Sequence, residues 1–538
     1  MRPITARGFR DIMPDEALER ERITRIVSDG FASHGYVPVE TPLLEERSSL
    51  AMVGGLASTP FQLFDGDGRL LMVRSDLTMP IARLVATRLR NSDTPIRLRY
   101  AAPVVREQAQ YMARARQFTQ LGIELIGASG PEADFEVVSM AAEALDSAGV
   151  AGWRIVCGSV RPMNELLAAA GIEGVKRNEI LSCVHASDFV DLDASLADVD
   201  ASDALVSAIA ALPRICGGAE ALDAASSVLA TAGIEDGGVS ELRALFASAA
   251  QAGFAENLSI DFSVMNSFDY YTGLVFSVYA DGVSAPLGSG GRYDEAFSRL
   301  GERDLPSAGF ALSLEQIEEA AASPAEQRPL RIAVPKGSLF ADTVEALASA
   351  GLDTEPLRDV GRHLIVHGQG VDYVIVRPTD APAFVASGGA DCGICGRDSL
   401  VEAGLDLVQL IDLGYGACRF VVAEPAAAKG KAEAAYARRG SIRVSTKYPR
   451  ITQAYYDRIG VQADIVTLHG NIELGPMVGM SDRIVDITAT GTTLRENDLV
   501  IVDEVLKCSA RFFASPASIR CDKRVRDLAS ALAASRKA

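Results

Sequence analysis

From Ile484 to Thr493 the chain reads IVDITATGTT. A short aliphatic strand ends on an acid, Asp486. It gives way to a turn made of Thr488, Ala489, Thr490, Gly491, Thr492 and Thr493, and a helix is expected to open at Leu494-Arg495-Glu496-Asn497. Such a turn aims backbone N–H groups and hydroxyls into one concavity, and the helix behind it adds the positive end of its dipole. The chemistry this suits is holding a phosphate. Asp486 cannot favour a phosphate, but its carboxylate can accept hydrogen bonds from the hydroxyls of an attached ribose. A Thr/Gly turn by itself more often only reverses the chain.

The elements around this stretch alternate strand and helix. From Leu330 the run LRIAVPKGSLF reads as a buried parallel-type strand, a Lys/Gly turn and a helix, followed by VDYVIVRP, DCGICGRDSL and CRFVVAEP. A second lobe is expected over about residues 426–500, after which the chain returns to the first, so two α/β lobes enclose a cleft. The first half is different. A helix is expected over Glu16–Ala32, and VPVETPLL, FQLFDGDGRLLMV and PIRLRYAAPVV suggest a largely antiparallel sheet with a hairpin at Asp65-Gly66-Asp67-Gly68. Residues 158–253 are Ala-rich and helical, an insertion without candidate chemistry, and 319–329 form a linker. The expected domains are therefore 1–318 and 330–538.

At 538 residues the chain is long enough for several domains, and its net charge of -19 argues against nucleic acid or a phospholipid surface as partner. The N-terminal stretch lacks an apolar signal core and no apolar run is long enough to span a bilayer, which points to the cytoplasm. The eight cysteines are scattered. Cys392 and Cys395 form a C-x-x-C without a second pair at metal spacing, and His363 and His367 sit four apart in a strand-like run, a spacing that puts both on one face, with no carboxylate between them. Neither makes a metal site, and none is assigned.

The stretch from Glu473 to Leu494 resembles the signature of ATP phosphoribosyltransferase: Glu473, Gly479, Ser481, Ile484, Asp486, Ile487, Thr490, Gly491, Thr493 and Leu494 fill its fixed places. The resemblance runs through the whole second half, including P-K-G, V-R-P and the run Asp391–Asp398, and it is to the short form of the family, which relies on a histidyl-tRNA-synthetase-like regulatory subunit. It implies a two-lobed fold like that of periplasmic binding proteins. In the implied reaction, ATP and 5-phosphoribosyl 1-diphosphate, with Mg²⁺ carried on the diphosphate, give N1-(5-phospho-β-D-ribosyl)-ATP. The loop Thr488–Thr493 would hold the 5-phosphate, Asp486 the ribose, and Lys336 and Arg377, with Arg397, the leaving diphosphate. Each of these cations could instead be a solvated surface charge. Ser338 stands where the family commonly has arginine.

The first half, from about Gly8 to Ile317, resembles the catalytic core of histidyl-tRNA synthetase, a class II synthetase fold with an antiparallel sheet and helices. Val73–Thr78, Arg116–Glu124, Asp269–Gly273 and Gly290–Asp294 match four of its motifs in order. Two arginines of the family are missing, with Asn266 and Gln316 in their places, and Gln108 stands near where an acid is expected. A neutral amide cannot replace a guanidinium that stabilises adenylate formation. Groups suited to free histidine remain: Asp76, Thr78, Arg106, Gln120, Glu124, Tyr270 and Tyr271. Any one of them could merely satisfy backbone groups or pack a strand. The expectation is a domain that binds L-histidine as inhibitor without activating it, fused in front of a transferase, in a homo-oligomer. A tRNA-charging enzyme with a passenger domain, or a two-lobed binding protein without catalysis, are the alternatives.

Overall fold

In a computed structural model, residues 4–48, 61–107, 115–264, 271–300, 304–322, 328–428, 430–489 and 491–537 are described. Gln108, Asn266, Tyr270 and Thr490 lie outside them. The chain forms two compact units, residues 1–328 with 516–523, and residues 329–515 with 524–538.

The first unit is built on a nine-stranded sheet. Its strands run in the order Val37–Pro38, Ile96–Val105, Gln117–Ile126, Ser307–Ser313, Gly288–Arg292, Leu274–Tyr279, Arg154–Ser159, Leu258–Asp261 and Cys216–Gly217. The five central strands, from Ile96–Val105 to Leu274–Tyr279, pair antiparallel with their neighbours. Only Val37–Pro38 against Ile96–Val105, and Arg154–Ser159 against Leu258–Asp261, are parallel. The expected hairpin joins Gln62–Phe64 to Leu70–Val73, with the Asp65 carboxylate accepting from the Asp67 and Arg69 amides at 2.9 Å. Helix Pro14–Ser33 runs through Gly30 and buries Ile23, Val27 and Phe31, the face its apolar spacing defines. The Ala-rich stretch folds as helices between Arg161 and Ala252 and joins the main core through Leu166, Ile180, Leu192, Ile209 and Leu245. Helix Leu314–Ala322 extends into the stretch expected as linker, since Ala320 is buried.

The second unit holds two sheets. The first lobe has the order Ile365–Gly368, Val371–Val376, Leu330–Pro335, Cys392–Gly396, Ala510–Ala514 and Val408–Asp412, and the second Ala463–Thr467, Ile442–Thr446, Arg483–Thr488, Cys418–Pro425 and Leu499–Cys508. The strands Val371–Val376, Leu330–Pro335 and Cys392–Gly396 are mutually parallel and read as near-continuous apolar runs because both faces are covered. One expectation is corrected here. His363 precedes strand Ile365–Gly368 and does not share its face with His367, whose ring Nδ1 lies 2.7 Å from the Asp372 carboxylate. Cys392 and Cys395 share one strand with odd spacing, so their side chains point to opposite faces and cannot close on one ion.

Candidate functional site

In the second unit, parallel pairing aligns strand ends. Pro335 is the register partner of Val376, so Lys336 and Arg377 leave adjacent strands side by side, and the Lys336 amide donates to the Val376 carbonyl at 2.8 Å. Both residues are exposed. Arg397 follows the next parallel strand, and its guanidinium donates to the Lys507 carbonyl at 3.0 Å. Ligands of open α/β sheets lie beyond the carboxyl ends of the strands, and here that rim carries three cations.

The second lobe presents its own strand ends. Strand Arg483–Thr488 runs two residues past Asp486, so the acid lies within the strand rather than ending it. The helix starts at Thr492 rather than Leu494 because Gly491, at φ 74°, takes the left-handed conformation that caps it. Inside the turn the Gly491 amide donates to Thr488 Oγ1 at 2.8 Å, so one N–H of the cradle is satisfied internally. Ala489, Thr492 and Thr493 are exposed, with Thr488 partly buried behind them. Asp486 is half-buried; burial pushes its carboxyl up, and the neighbouring Glu473 adds to this, while the Ile487 amide at 2.8 Å and Lys447 oppose it.

Two residues near these strand ends escaped sequence reasoning. Lys447 and Tyr448 follow strand Ile442–Thr446, and Lys447 acts electrostatically on both Asp486 and Asp398. Asp398, at the start of helix Arg397–Ala403, is pushed up by burial. In the same helix, Glu402 accepts the amides of Arg450 and Ile451 at 3.1 and 3.0 Å, which ties the first lobe to the first turn of helix Pro449–Arg458. The spacing T-K-Y-P after a buried strand was the available signal. Close packing supports the loop: a Cβ on Gly475 would meet Ser445 Oγ at 2.3 Å and Ser481 Oγ at 2.8 Å, and those two hydroxyls bond each other at 2.8 Å.

In the first unit the sheet buries a polar cluster. Glu124 has no exposed surface; it accepts from Thr78 Oγ1 at 2.8 Å, from the Tyr100 hydroxyl at 3.3 Å and from the Tyr293 hydroxyl. Burial pushes its carboxyl up to about 8. Asp76 accepts the Met79 amide at 3.2 Å and is also pushed up by burial, with Arg106 opposing. Arg106 donates to the Ser75 carbonyl at 2.6 Å and covers the Phe118 ring. Gln120 is buried, and its Oε1 has no hydrogen-bond partner. Tyr271 packs its ring against Gly291, where a Cβ would meet it at 2.6 Å. Gly309 is obligatory, because a Cβ there would meet Glu124 Oε2 at 2.0 Å. Tyr100 and Tyr293, which sequence reasoning did not single out, complete the cluster. This buried cluster of two carboxyls, three phenols and an unpaired amide oxygen offers acceptors to a small cation with hydrogen-bond donors, since a buried acceptor left open costs about 1–3 kcal/mol.

Among the described residues no three His, Cys, Asp or Glu side chains are grouped as a metal site, and no helix is long and apolar enough to cross a membrane.

Residues 8–317 match the family model of histidyl-tRNA synthetase, and residues 377–534 that of ATP phosphoribosyltransferase. An ATP phosphoribosyltransferase of Rubrobacter xylanophilus is 48% identical over 193 residues, 36% of this chain and 89% of the relative. An ATP phosphoribosyltransferase regulatory subunit of Desulfitobacterium hafniense is 34% identical over 320 residues, 59% of this chain and 82% of the relative. Among solved structures, an ATP phosphoribosyltransferase regulatory subunit/histidyl-tRNA synthetase from Bacillus halodurans aligns with a TM-score of 0.54 at 26% identity, covering 70% of this chain and all of that one.

Proposed function

We infer, from a chain that belongs to the histidyl-tRNA synthetase family over residues 8–317 and to the ATP phosphoribosyltransferase family over residues 377–534, that one polypeptide joins phosphoribosyl transfer to histidine sensing. The transfer is the first step of histidine biosynthesis. N1 of ATP attacks C1 of 5-phosphoribosyl 1-diphosphate, the C1–oxygen bond breaks, and diphosphate leaves with both electrons of that bond.

The adenine N1 carries no proton at neutral pH, so the site has to supply alignment and charge stabilisation more than a base. Lys336 and Arg377 do the second, meeting the diphosphate as it departs. Thr488, Ala489, Thr490, Gly491, Thr492 and Thr493 cradle the 5-phosphate, and Asp486 accepts from the ribose hydroxyls. Mg²⁺ would be held by the diphosphate oxygens and water rather than by a carboxylate cage, and would supply neutralisation of the diphosphate charge that Lys336 and Arg377 meet. The observation that carries this reading is the register that sets Lys336 beside Arg377 at the carboxyl ends of two parallel strands.

In the first unit, Asp76, Thr78, Arg106, Gln120, Glu124, Tyr270 and Tyr271 hold L-histidine, and its binding lowers transfer. The unpaired Gln120 oxygen beside Glu124 supports this, as does Gln316, a neutral residue with a buried unpaired oxygen of its own where activation chemistry would call for a guanidinium. The enzyme acts in the cytoplasm as a homo-oligomer. Mixing ATP with 5-phosphoribosyl 1-diphosphate and following the ultraviolet absorbance of the adenine tests the transfer. A rise that needs both substrates and Mg²⁺ is expected, and a flat trace rejects it.

A further inference from the structure

Cys418 and Cys508 are direct register partners in the antiparallel pair formed by strands Cys418–Pro425 and Leu499–Cys508. Cα atoms so opposed lie about 4.5–5.5 Å apart, within the roughly 4.4–6.8 Å that a disulfide spans. Both side chains face the same core, with Phe420 and Tyr448, and the two thiols hydrogen-bond each other. Cys508 is buried and Cys418 partly exposed.

Their place in the fold matters. Strand Val408–Asp412 belongs to the first-lobe sheet and the chain enters the second lobe at Cys418; strand Leu499–Cys508 belongs to the second lobe and the chain re-enters the first at Ala510. The two thiols therefore sit where both crossings meet. Arg397 clamps one crossing, its amide donating to the Ser509 carbonyl and its guanidinium to the Lys507 carbonyl, both at 3.0 Å, on either side of Cys508. Arg419, next to Cys418, is the register partner of Thr488, where the phosphate turn begins.

We propose that Cys418 and Cys508 form a reversible disulfide that staples the two crossings and lowers the activity of the second unit. The roles of the sulfurs differ. The hydrogen bond from Cys508 holds the Cys418 thiol below its usual range, whereas donation to Cys418 and burial push the Cys508 thiol up. The partly exposed Cys418 thiolate attacks one sulfur of a small disulfide of the oxidised-glutathione class, forming a mixed disulfide and expelling one small thiol. Cys508 then loses its proton, attacks Cys418 Sγ and expels the second. Two protein thiols are oxidised to one disulfide, and one small disulfide is reduced to two thiols. The lobes cannot then adjust about the crossing, and the alignment that transfer requires is withheld.

The reading of the second unit as a transferase underlies the activity part of this proposal, while mapping the bond does not depend on it. The full chain is incubated with oxidised glutathione, alkylated, digested with trypsin without reduction and analysed by mass spectrometry. A cross-link between peptides Asp398–Arg419 and Cys508–Arg511 is expected, lost after dithiothreitol. Alkylated Cys418 and Cys508 throughout, or Cys418 joined to another cysteine, overturns the disulfide. In parallel, transfer by the oxidised chain is expected to fall by about tenfold or more, as for other losses of alignment, and to return on reduction. Cys418→Ser and Cys508→Ala are each expected to keep the reduced rate and ignore the oxidant. An equal loss in wild type and both variants overturns the switch. A chain that is inactive when reduced yet forms the cross-link refutes the transferase reading and leaves the disulfide standing.

Discussion

Lys336 and Arg377 stand side by side because Pro335 and Val376 are register partners in adjacent parallel strands, with the Lys336 amide hydrogen-bonded to the Val376 carbonyl at 2.8 Å. Both side chains are exposed, so neither holds the fold together. Replacing Lys336 or Arg377 by Ala is expected to leave the melting temperature within about 2 °C, since surface changes cost within about 0.5 kcal/mol. The transfer rate is expected to drop by about 10²–10³, the effect of losing one preorganised donor. Steady-state kinetics beside a thermal melt separates the two; a full rate in Lys336→Ala removes that residue from the site.

Gly491 caps the short helix Thr492–Glu496 at φ 74°, behind the turn proposed to hold the 5-phosphate. A Cβ would meet nothing within 4 Å, so Gly491→Ala tests backbone conformation alone. A left-handed non-glycine residue costs about 1–2 kcal/mol. The expected result is a raised KM for 5-phosphoribosyl 1-diphosphate with little change for ATP, measured by varying each substrate in turn.

The Glu124 carboxyl, pushed up to about 8 by burial, carries a pH signature. Between its unfolded value near 4.5 and about 8, the folded chain holds a proton there that the unfolded chain has released. Its contribution to the stability of the first unit is therefore full below pH 4.5 and declines as pH rises towards 8. Glu124→Gln removes this term. Melting temperatures measured at pH 5, 6, 7 and 8 are expected to fall more steeply for wild type than for the variant, and parallel curves would contradict the assignment.

Arg520 donates to the Asp261 carboxylate at 2.9 Å and to the Tyr279 hydroxyl at 2.8 Å, and Asp261 also accepts the Ser263 amide at 2.8 Å. Removing one partner of a buried ion pair leaves the other charge uncompensated and costs about 3–5 kcal/mol. Arg520→Met is expected to lower the first unit's unfolding transition by an amount of that order, read in a denaturant titration, whereas Asp261→Asn combined with Arg520→Met is expected to recover part of it.

Much of this was legible in the sequence because local patterns carried it. The aliphatic runs of the second half name their own strands, and the Asp65–Gly68 turn names its hairpin. The misses have physical causes. Helix onset at Thr492 depends on the φ of Gly491, which composition does not encode. Lys447 and Tyr448 meet Asp398 only when two lobes are joined at their crossings, and Glu124 is reached by Tyr100 from the neighbouring strand and by Tyr293 from beyond the strand on its other side. The Cys418–Cys508 pairing, between residues far apart in the chain, is set by strand register. The placement of residues 516–523 in the first unit follows from the Arg520–Asp261 pair, which no periodicity signals.

The tRNA-charging alternative predicts histidine-dependent exchange of labelled pyrophosphate into ATP. With Gln316 where a guanidinium would be needed, none above background is expected. Exchange at a rate comparable to transfer would restore that alternative.

The most direct test of the central claim is the transfer rate as a function of added L-histidine, in wild type and in Glu124→Gln. The account predicts a wild-type rate that falls with histidine. In the variant, an equal loss should need at least about tenfold more histidine, as expected when a buried hydrogen bond worth about 1.4 kcal/mol is removed. Superimposable inhibition curves, or a wild-type rate indifferent to histidine, would contradict it.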